Sequence, residues 1–196
     1  VQVIPNGVDQ TIFRPTENDL RKKLGLEHSF VILGVANVWE RRKGLSYFCG
    51  LAKKLPEDCK IILIGLNEKQ IRELPEEIIG ITRTENAEEL AGYYSMADVF
   101  VNATLEDNFP TTNLEALSCG TPVITFETGG SPESLDKTCG RVVRKGDAEA
   151  LLQAILAERE YPMRKEDCLT RAVQYEKNDR FMEYAALYHR LWGQGE

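Results

Sequence analysis

The sequence predicts an α/β fold: a parallel sheet flanked by helices on both faces, with further helices at the C-terminus. Three observations carry this. Short apolar runs of strand length recur along the chain, and between them lie stretches of helical length opened by capping residues. The run Phe30–Val35 is apolar throughout, as a strand covered on both faces should be. Regular alternation of strand and helix is the pattern of βαβ crossovers, which build parallel sheets.

The elements are expected in the following order. Val1–Ile4 reads as a short strand ending at the turn Pro5-Asn6-Gly7. Thr16 is placed to cap a helix over 17–24, which Gly25 stops. After the strand Phe30–Val35 comes a helix from about Gly44 to Leu55, ended by Pro56. Lys60–Ile64 is a strand, Glu68–Leu74 a helix and Ile78–Thr82 a short strand. Asn86 caps a helix over Ala87–Met96. Asp98–Ala103 is a strand, Pro110–Cys119 a helix and Pro122–Phe126 a strand. Ser131–Leu135 is a short helix, Gly140–Val143 a last strand, and Asp147 caps a helix over Ala148–Glu158. Beyond Pro162 the strands stop, and Arg164–Tyr175 and Arg180–Trp192 read as two amphipathic helices. Phe181, Tyr184, Leu187, Tyr188 and Leu191 recur at helical spacing and are expected to pack against the chain's own sheet.

Composition excludes some classes. The 196 residues fit one domain, and 42% hydrophobic with 28% charged residues are ordinary globular values. A net charge of −7 argues against broad nucleic-acid binding, which needs basic surface to neutralise phosphates, so any phosphate site must be local. Cys49, Cys59, Cys119, Cys139 and Cys168 are odd in number and form no C-x-x-C pair, which suits reduced, mostly buried thiols. No apolar run is long enough to span a bilayer.

In parallel sheets of this kind, ligands bind at the carboxyl ends of the strands near the switch in strand order. The loop and helix after Ala103 are the richest such segment. Pro110 suits the first helical position, and Thr111, Thr112 and Asn113 then present backbone N–H groups at a helix N-terminus. Oriented donors and about half a positive charge make that end an anion site. Glu115, one turn on, suits a pair of vicinal hydroxyls such as those of a ribose, and Asp107 suits the sugar attached to the phosphate. From spacing alone the favoured reading is that an acidic residue here just answers the helix dipole. Arg41-Arg42-Lys43-Gly44 opens another helix, where the cations either meet a diphosphate or form a solvated charge run. Gly129-Gly130 either allows close backbone approach to a ligand or makes a plain turn. Trp39 reads as ordinary packing.

The run from Asp107 to Ile124 resembles the acidic-x7-Glu signature of family 4 (group 1) glycosyltransferases. Other segments fall in the family's order: Val3-Ile4-Pro5-Asn6-Gly7-Val8-Asp9, Lys43-Gly44, Ile61–Gly65, Ile81-Thr82-Arg83 followed by Ala87-Glu88-Glu89-Leu90 and Tyr93-Tyr94, Gly129-Gly130-Ser131-Pro132-Glu133 and Gly140–Asp147. The resemblance covers about residues 1 to 160 and implies the C-terminal, Rossmann-like half of a GT-B fold. Residues 161–196 are then C-terminal helices packed on it, and an acceptor-binding domain is expected to precede Val1. It implies a retaining transferase, of hexosyltransferase type, moving a sugar from a nucleotide-diphosphate sugar to a glycan or lipid-linked glycan in surface polysaccharide or glycoconjugate synthesis. The nucleotide sugar is a substrate, and no other cofactor, metal or nucleic acid is expected. The absence of an Asp-x-Asp pair, by which other transferases hold a metal, agrees with this. The half-enzyme alone is expected to transfer nothing.

Residue by residue, the resemblance gives Glu115 to the ribose and Asp107 to the sugar. The family usually has Glu at the first acidic position, so Glu106 beside Asp107 is a second candidate. Lys43 falls on the donor diphosphate. The family's Arg lies several residues earlier, where this chain has Asn37 and Val38, and Arg42 is the candidate substitute. Thr111, Thr112 and Asn113 face the phosphates, Gly129 and Gly130 border the sugar, and Thr82 and Arg83 lie against the base. The implied location is cytoplasmic, peripheral to the inner membrane face through the preceding domain. Another GT-B-like enzyme (an epimerase or phosphorylase) and a non-catalytic nucleotide-binding or interaction module are the rival readings. Neither G-x-G-x-x-G after the first strand nor G-x-x-x-x-G-K-[ST] occurs, which disfavours a dinucleotide or NTPase version of the module.

Overall fold

A computed structural model describes residues 2–192. Six strands form one sheet: β1 (Phe30–Val35), β2 (Cys59–Ile64), β3 (Ile78–Ile81), β4 (Val99–Asn102), β5 (Val123–Phe126) and β6 (Gly140–Val143). The order is β3-β2-β1-β4-β5-β6 and every pairing is parallel, so the sheet is Rossmann-like. Strand order reverses between β1 and β4. The loops leaving Val35 and Asn102 therefore diverge and open a crevice at the carboxyl edge.

The pleat sends alternate residues to two cores. Ile32, Leu63, Val101 and Ile124 pack with Phe48 of α2 (Leu45–Ala52) and Leu151 and Ile155 of α6 (Ala148–Glu160). Val31, Leu33, Ile62 and Phe100 pack on the other face with Tyr94 of α4 (Ala87–Met96), Leu117 of α5 (Thr111–Ser118) and Cys168 of α7 (Lys165–Ala172). The capping residues behave as their chemistry requires. The Asn86 side chain accepts from the Glu89 N–H, and that of Asp147 from the Ala150 N–H. Asn67 and Gln70 add a reciprocal box at the start of α3 (Glu68–Arg72). Trp39 is packed, as expected: its indole N–H donates to the Ile64 carbonyl at 2.9 Å and its ring meets Phe48 edge-on. All five thiols are free; four are buried, and burial pushes Cys119 up to about 12 and Cys59 and Cys139 up to about 11.

Four expectations need correction. No strand forms over Gln2–Ile4, and Val1 lies outside the described residues. This segment pairs with neither edge of the sheet, β3 or β6; a single parallel bridge from Val8 to Glu176 follows it instead. Thr16 caps nothing: its hydroxyl turns back to the Arg14 carbonyl, and the first helix shrinks to α1 (Leu20–Lys23), whose Leu20 N–H is taken by Asn18. The helix expected from Gly44 is preceded by a 3-10 turn over Arg41–Lys43 and ends at Ala52.

The fourth correction concerns α8 (Lys177–Trp192), which buries no residue. Phe181, Tyr188 and Leu191 are exposed, Tyr184 is 40% exposed and Leu187 is half-buried, so this face does not pack on the sheet. The helix lies beside the extended residues after Val1. Tyr184 donates to the Ile4 carbonyl and Arg190 to the Gln2 side chain, while Lys177 pairs with Asp9. Among the described residues no helix is long and apolar enough to cross a membrane.

Candidate functional site

The crevice between the β1 and β4 loops holds a cleft of about 520 Å³. One wall is the loop after β1, with Asn37, Val38, Glu40, Arg42 and Lys43. The other is the loop after β4 and the first turns of α5, with Asp107, Thr111, Thr112 and Glu115. The two loops are stitched by backbone: the Leu105 N–H donates to the Arg42 carbonyl at 2.7 Å, and the Thr104 hydroxyl bridges the Arg42 and Glu106 carbonyls.

Lys43 and Asp107 meet across the cleft, Nζ to Oδ2 at 2.9 Å, with side chains 23% and 19% exposed. Partial burial leaves this pair less screened than a surface pair, and either member is within reach of a ligand in the cleft. Arg42 is more exposed; it pairs with Glu40 at 3.2 Å and reaches the Glu106 carbonyl at 3.5 Å. Glu106 is exposed and does not line this cleft; with Arg42, Asp107 and Asn108 it lines a neighbouring hollow. Of the two adjacent acids, only Asp107 faces Lys43.

Pro110 occupies the position before α5, with ψ 118°, rather than its first helical position. The Thr111 and Thr112 N–H groups follow, in the first turn where no intrahelical acceptor exists. Asn113 differs from its expected role. Its N–H is taken by the Pro110 carbonyl, and its fully buried side chain bonds Asn102, Ser131 and Ser134. A ligand in the cleft cannot reach it. Asn113 instead ties α5 to β4 and to the turn after β5, because a buried amide must find partners inside the protein.

Glu115 sits at the cleft floor, one turn into α5. Burial pushes its carboxyl above the ordinary value of 4.5, while hydrogen bonds from Tyr94 and Thr111 draw it back. Tyr94 is fully buried and donates to Glu115 Oε2 at 2.9 Å. The resemblance touches Tyr94 only as part of the segment set against the base; its bond to Glu115 was not legible, since a tyrosine at a buried helical position looks like core. Asn6 also lines the cleft; its Nδ2 reaches the Phe109 carbonyl. The sequence showed it as part of a turn and of the family-like segment Val3–Asp9, without a place in the site.

Gly129 and Gly130 do approach a backbone closely, but that backbone is the chain's own. Gly130 donates to the Asn108 carbonyl at 2.7 Å, and Gly129 lies against Asp107. They set the height of the acidic loop. Thr82 and Arg83 are not brought to the cleft. They line a separate hollow of about 580 Å³ with Thr84 and Glu85, because β3 stands two strands away from the switch point. Among the described residues no group of His, Cys, Asp and Glu gathers to hold a metal.

With this geometry in hand, comparison with known proteins is decisive. The family described as Glycosyl transferases group 1 matches residues 29–158. The chain belongs to this family. A D-inositol 3-phosphate glycosyltransferase from Corynebacterium jeikeium is 30% identical over 158 residues, covering 69% of this chain and 38% of that protein. Sucrose-phosphate synthase from Thermosynechococcus elongatus superposes with a TM-score of 0.87 at 25% identity, over 99% of this chain and 53% of that one. The Anabaena protein HepE, solved in complex with UDP-glucose, superposes at 0.83 with 19% identity, over 96% of this chain and 57% of that one. The fold is thus that of a GT-B glycosyltransferase, and the chain spans about half or less of the length of these relatives.

Proposed function

We propose that this chain is the nucleotide-sugar-binding half of a retaining glycosyltransferase, of hexosyltransferase type, acting in surface polysaccharide or glycoconjugate synthesis. One observation carries the reading. The Lys43 ammonium, the Asp107 carboxylate, the N-terminus of α5 and the Glu115 carboxylate converge on one cleft at the topological switch point. A cation and a helix N-terminus suit a diphosphate, and a carboxylate one turn deeper suits the two hydroxyls of a ribose. The HepE complex with UDP-glucose supports the same ligand class, since that protein shares the fold.

When the donor enters, the diphosphate takes the Lys43 ammonium from Asp107. The freed Asp107 carboxylate then lies beside the anomeric carbon, where positive charge develops as the sugar leaves. Lys43, Arg42 and the α5 dipole stabilise the departing diphosphate. The glycan or lipid-linked glycan acceptor would be bound by a second domain, and this half by itself would transfer nothing. That domain would hold the protein at the cytoplasmic face of the membrane.

Calorimetry with a panel of nucleotides and nucleotide sugars tests this. At least one of UDP, GDP or ADP is expected to bind, and Glu115→Ala is expected to weaken it about tenfold or more, as the loss of charged hydrogen bonds should. Absence of binding to every nucleotide would refute the reading.

A further inference from the structure

We propose that Tyr94 is the positioning residue of the ribose-binding carboxylate, holding Glu115 from below so that its remaining oxygen lone pairs face the cleft. The proposal rests on the assignment of Glu115 to the ribose. Glu115 stands on α5, and the phenol that reaches it comes from α4, packed beside it against the same face of the sheet. The bond is 2.9 Å, from a side chain with no exposed surface to one at the cleft floor.

Three features make Tyr94 a fixed support. Its ring is clamped edge-on between Phe13, at 6.1 Å, and Phe100, at 5.3 Å. Its own carbonyl accepts the buried Thr121 hydroxyl at 2.6 Å, which ties α4 to the turn between α5 and β5. Its hydroxyl is also a permanent donor, because burial and the nearby Glu115 charge push it well above its ordinary 10.

The carboxylate accounting follows. An ionised carboxylate offers about four lone-pair sites. Tyr94 takes one on Oε2 and leaves Oε1 open, whose two lone pairs are the number a vicinal diol needs. A free glutamate on a helix would sample several rotamers and would lose that freedom on binding. Tyr94 removes most of that loss in advance, which is how a residue that touches no ligand raises affinity. A tyrosine serving only the core would need no acceptor on the cleft side, and Phe would fill the same space.

The test separates this from plain packing by using a ligand without the diol. UDP and 2′,3′-dideoxy-UDP are titrated into this chain, into Tyr94→Phe and into Glu115→Ala. If the nucleotide panel identifies another base, the corresponding pair is used. Tyr94→Phe is expected to weaken the ribonucleotide about five- to tenfold and to leave the dideoxy nucleotide unchanged. Equal weakening of both, or of neither, overturns the positioning role. If Glu115→Ala does not change the preference for the ribonucleotide, the ribose assignment itself falls and the proposal with it. Should Tyr94→Phe prove poorly folded, 4-aminophenylalanine at position 94 keeps the ring and an N–H donor. It is expected to hold the ribonucleotide preference within about twofold of the parent chain, and its loss would count against the proposal.

Discussion

Gly129 has φ +49°, and a Cβ added there would stand 1.7 Å from the Asp107 carbonyl oxygen. Gly25 has φ +68° with nothing within 4 Å of the same added atom. Both positions disfavour a side chain, but only at Gly129 must a neighbour move, and that neighbour carries the acid that faces Lys43. Gly25→Ala should cost about 1–2 kcal/mol, the ordinary strain of a left-handed residue. Gly129→Ala should cost about 3 kcal/mol and also weaken nucleotide binding, because the loop must give way. Chemical denaturation of both variants with calorimetry on the second checks this; equal stability losses and unchanged binding would count against the loop-setting role. At this scale the sequence offered a close approach to a ligand or a plain turn for the glycine pair, and the structure shows a close approach to the backbone of Asp107 and Asn108 instead. The partner is more than twenty positions away in the chain.

Among the helices, α5 and α8 show how far a periodic pattern carries. Leu114 of α5 is fully buried, while Phe181, Tyr188 and Leu191 of α8 lie open despite a clearer apolar stripe. Periodicity says that one face of a helix is apolar; it does not say what stands opposite. In this chain Leu114→Ala should cost about 2–5 kcal/mol. Phe181→Ser and Tyr188→Ser should each change stability by about 0.5 kcal/mol or less, as exposed substitutions do. Thermal unfolding of the three variants distinguishes them, and a loss above about 1 kcal/mol at either aromatic would mean that α8 is buried in solution. The capped helices behaved differently. Asn86 and Asp147 could be assigned from sequence because a cap is a local contact within four residues.

For the whole molecule, the segment around Val8 is tied to the segment around Lys177. The Val8 N–H donates to the Tyr175 carbonyl, the Lys177 N–H donates to Val8, and the Lys177 ammonium pairs with Asp9. The hydrogen bonds from Lys177 and Thr11 hold the Asp9 carboxyl at about 2, below its ordinary 3.8. A depressed acid favours the folded state when it is charged. Its contribution is therefore complete above pH 3.8 and disappears as pH falls through about 2. The melting temperature of the chain should exceed that of Asp9→Asn above pH 3.8, and the difference should close towards pH 2. A difference independent of pH would mean that Asp9 acts through packing alone.

The sequence by itself determined the parallel sheet, its strand positions and two helix caps, because these rest on local chemistry and on period. It also singled out Lys43, Asp107 and Glu115, each within a short motif, and the structure brings these three to one cleft. Only the tertiary structure decided what those residues meet. It paired Lys43 with Asp107, left Glu106 exposed, buried Asn113, left Thr82 and Arg83 two strands away and set Tyr94 beneath Glu115. Each outcome depends on strand order, and the β1–β4 adjacency brings residues 43 and 107 together across a stretch of chain that no local pattern spans.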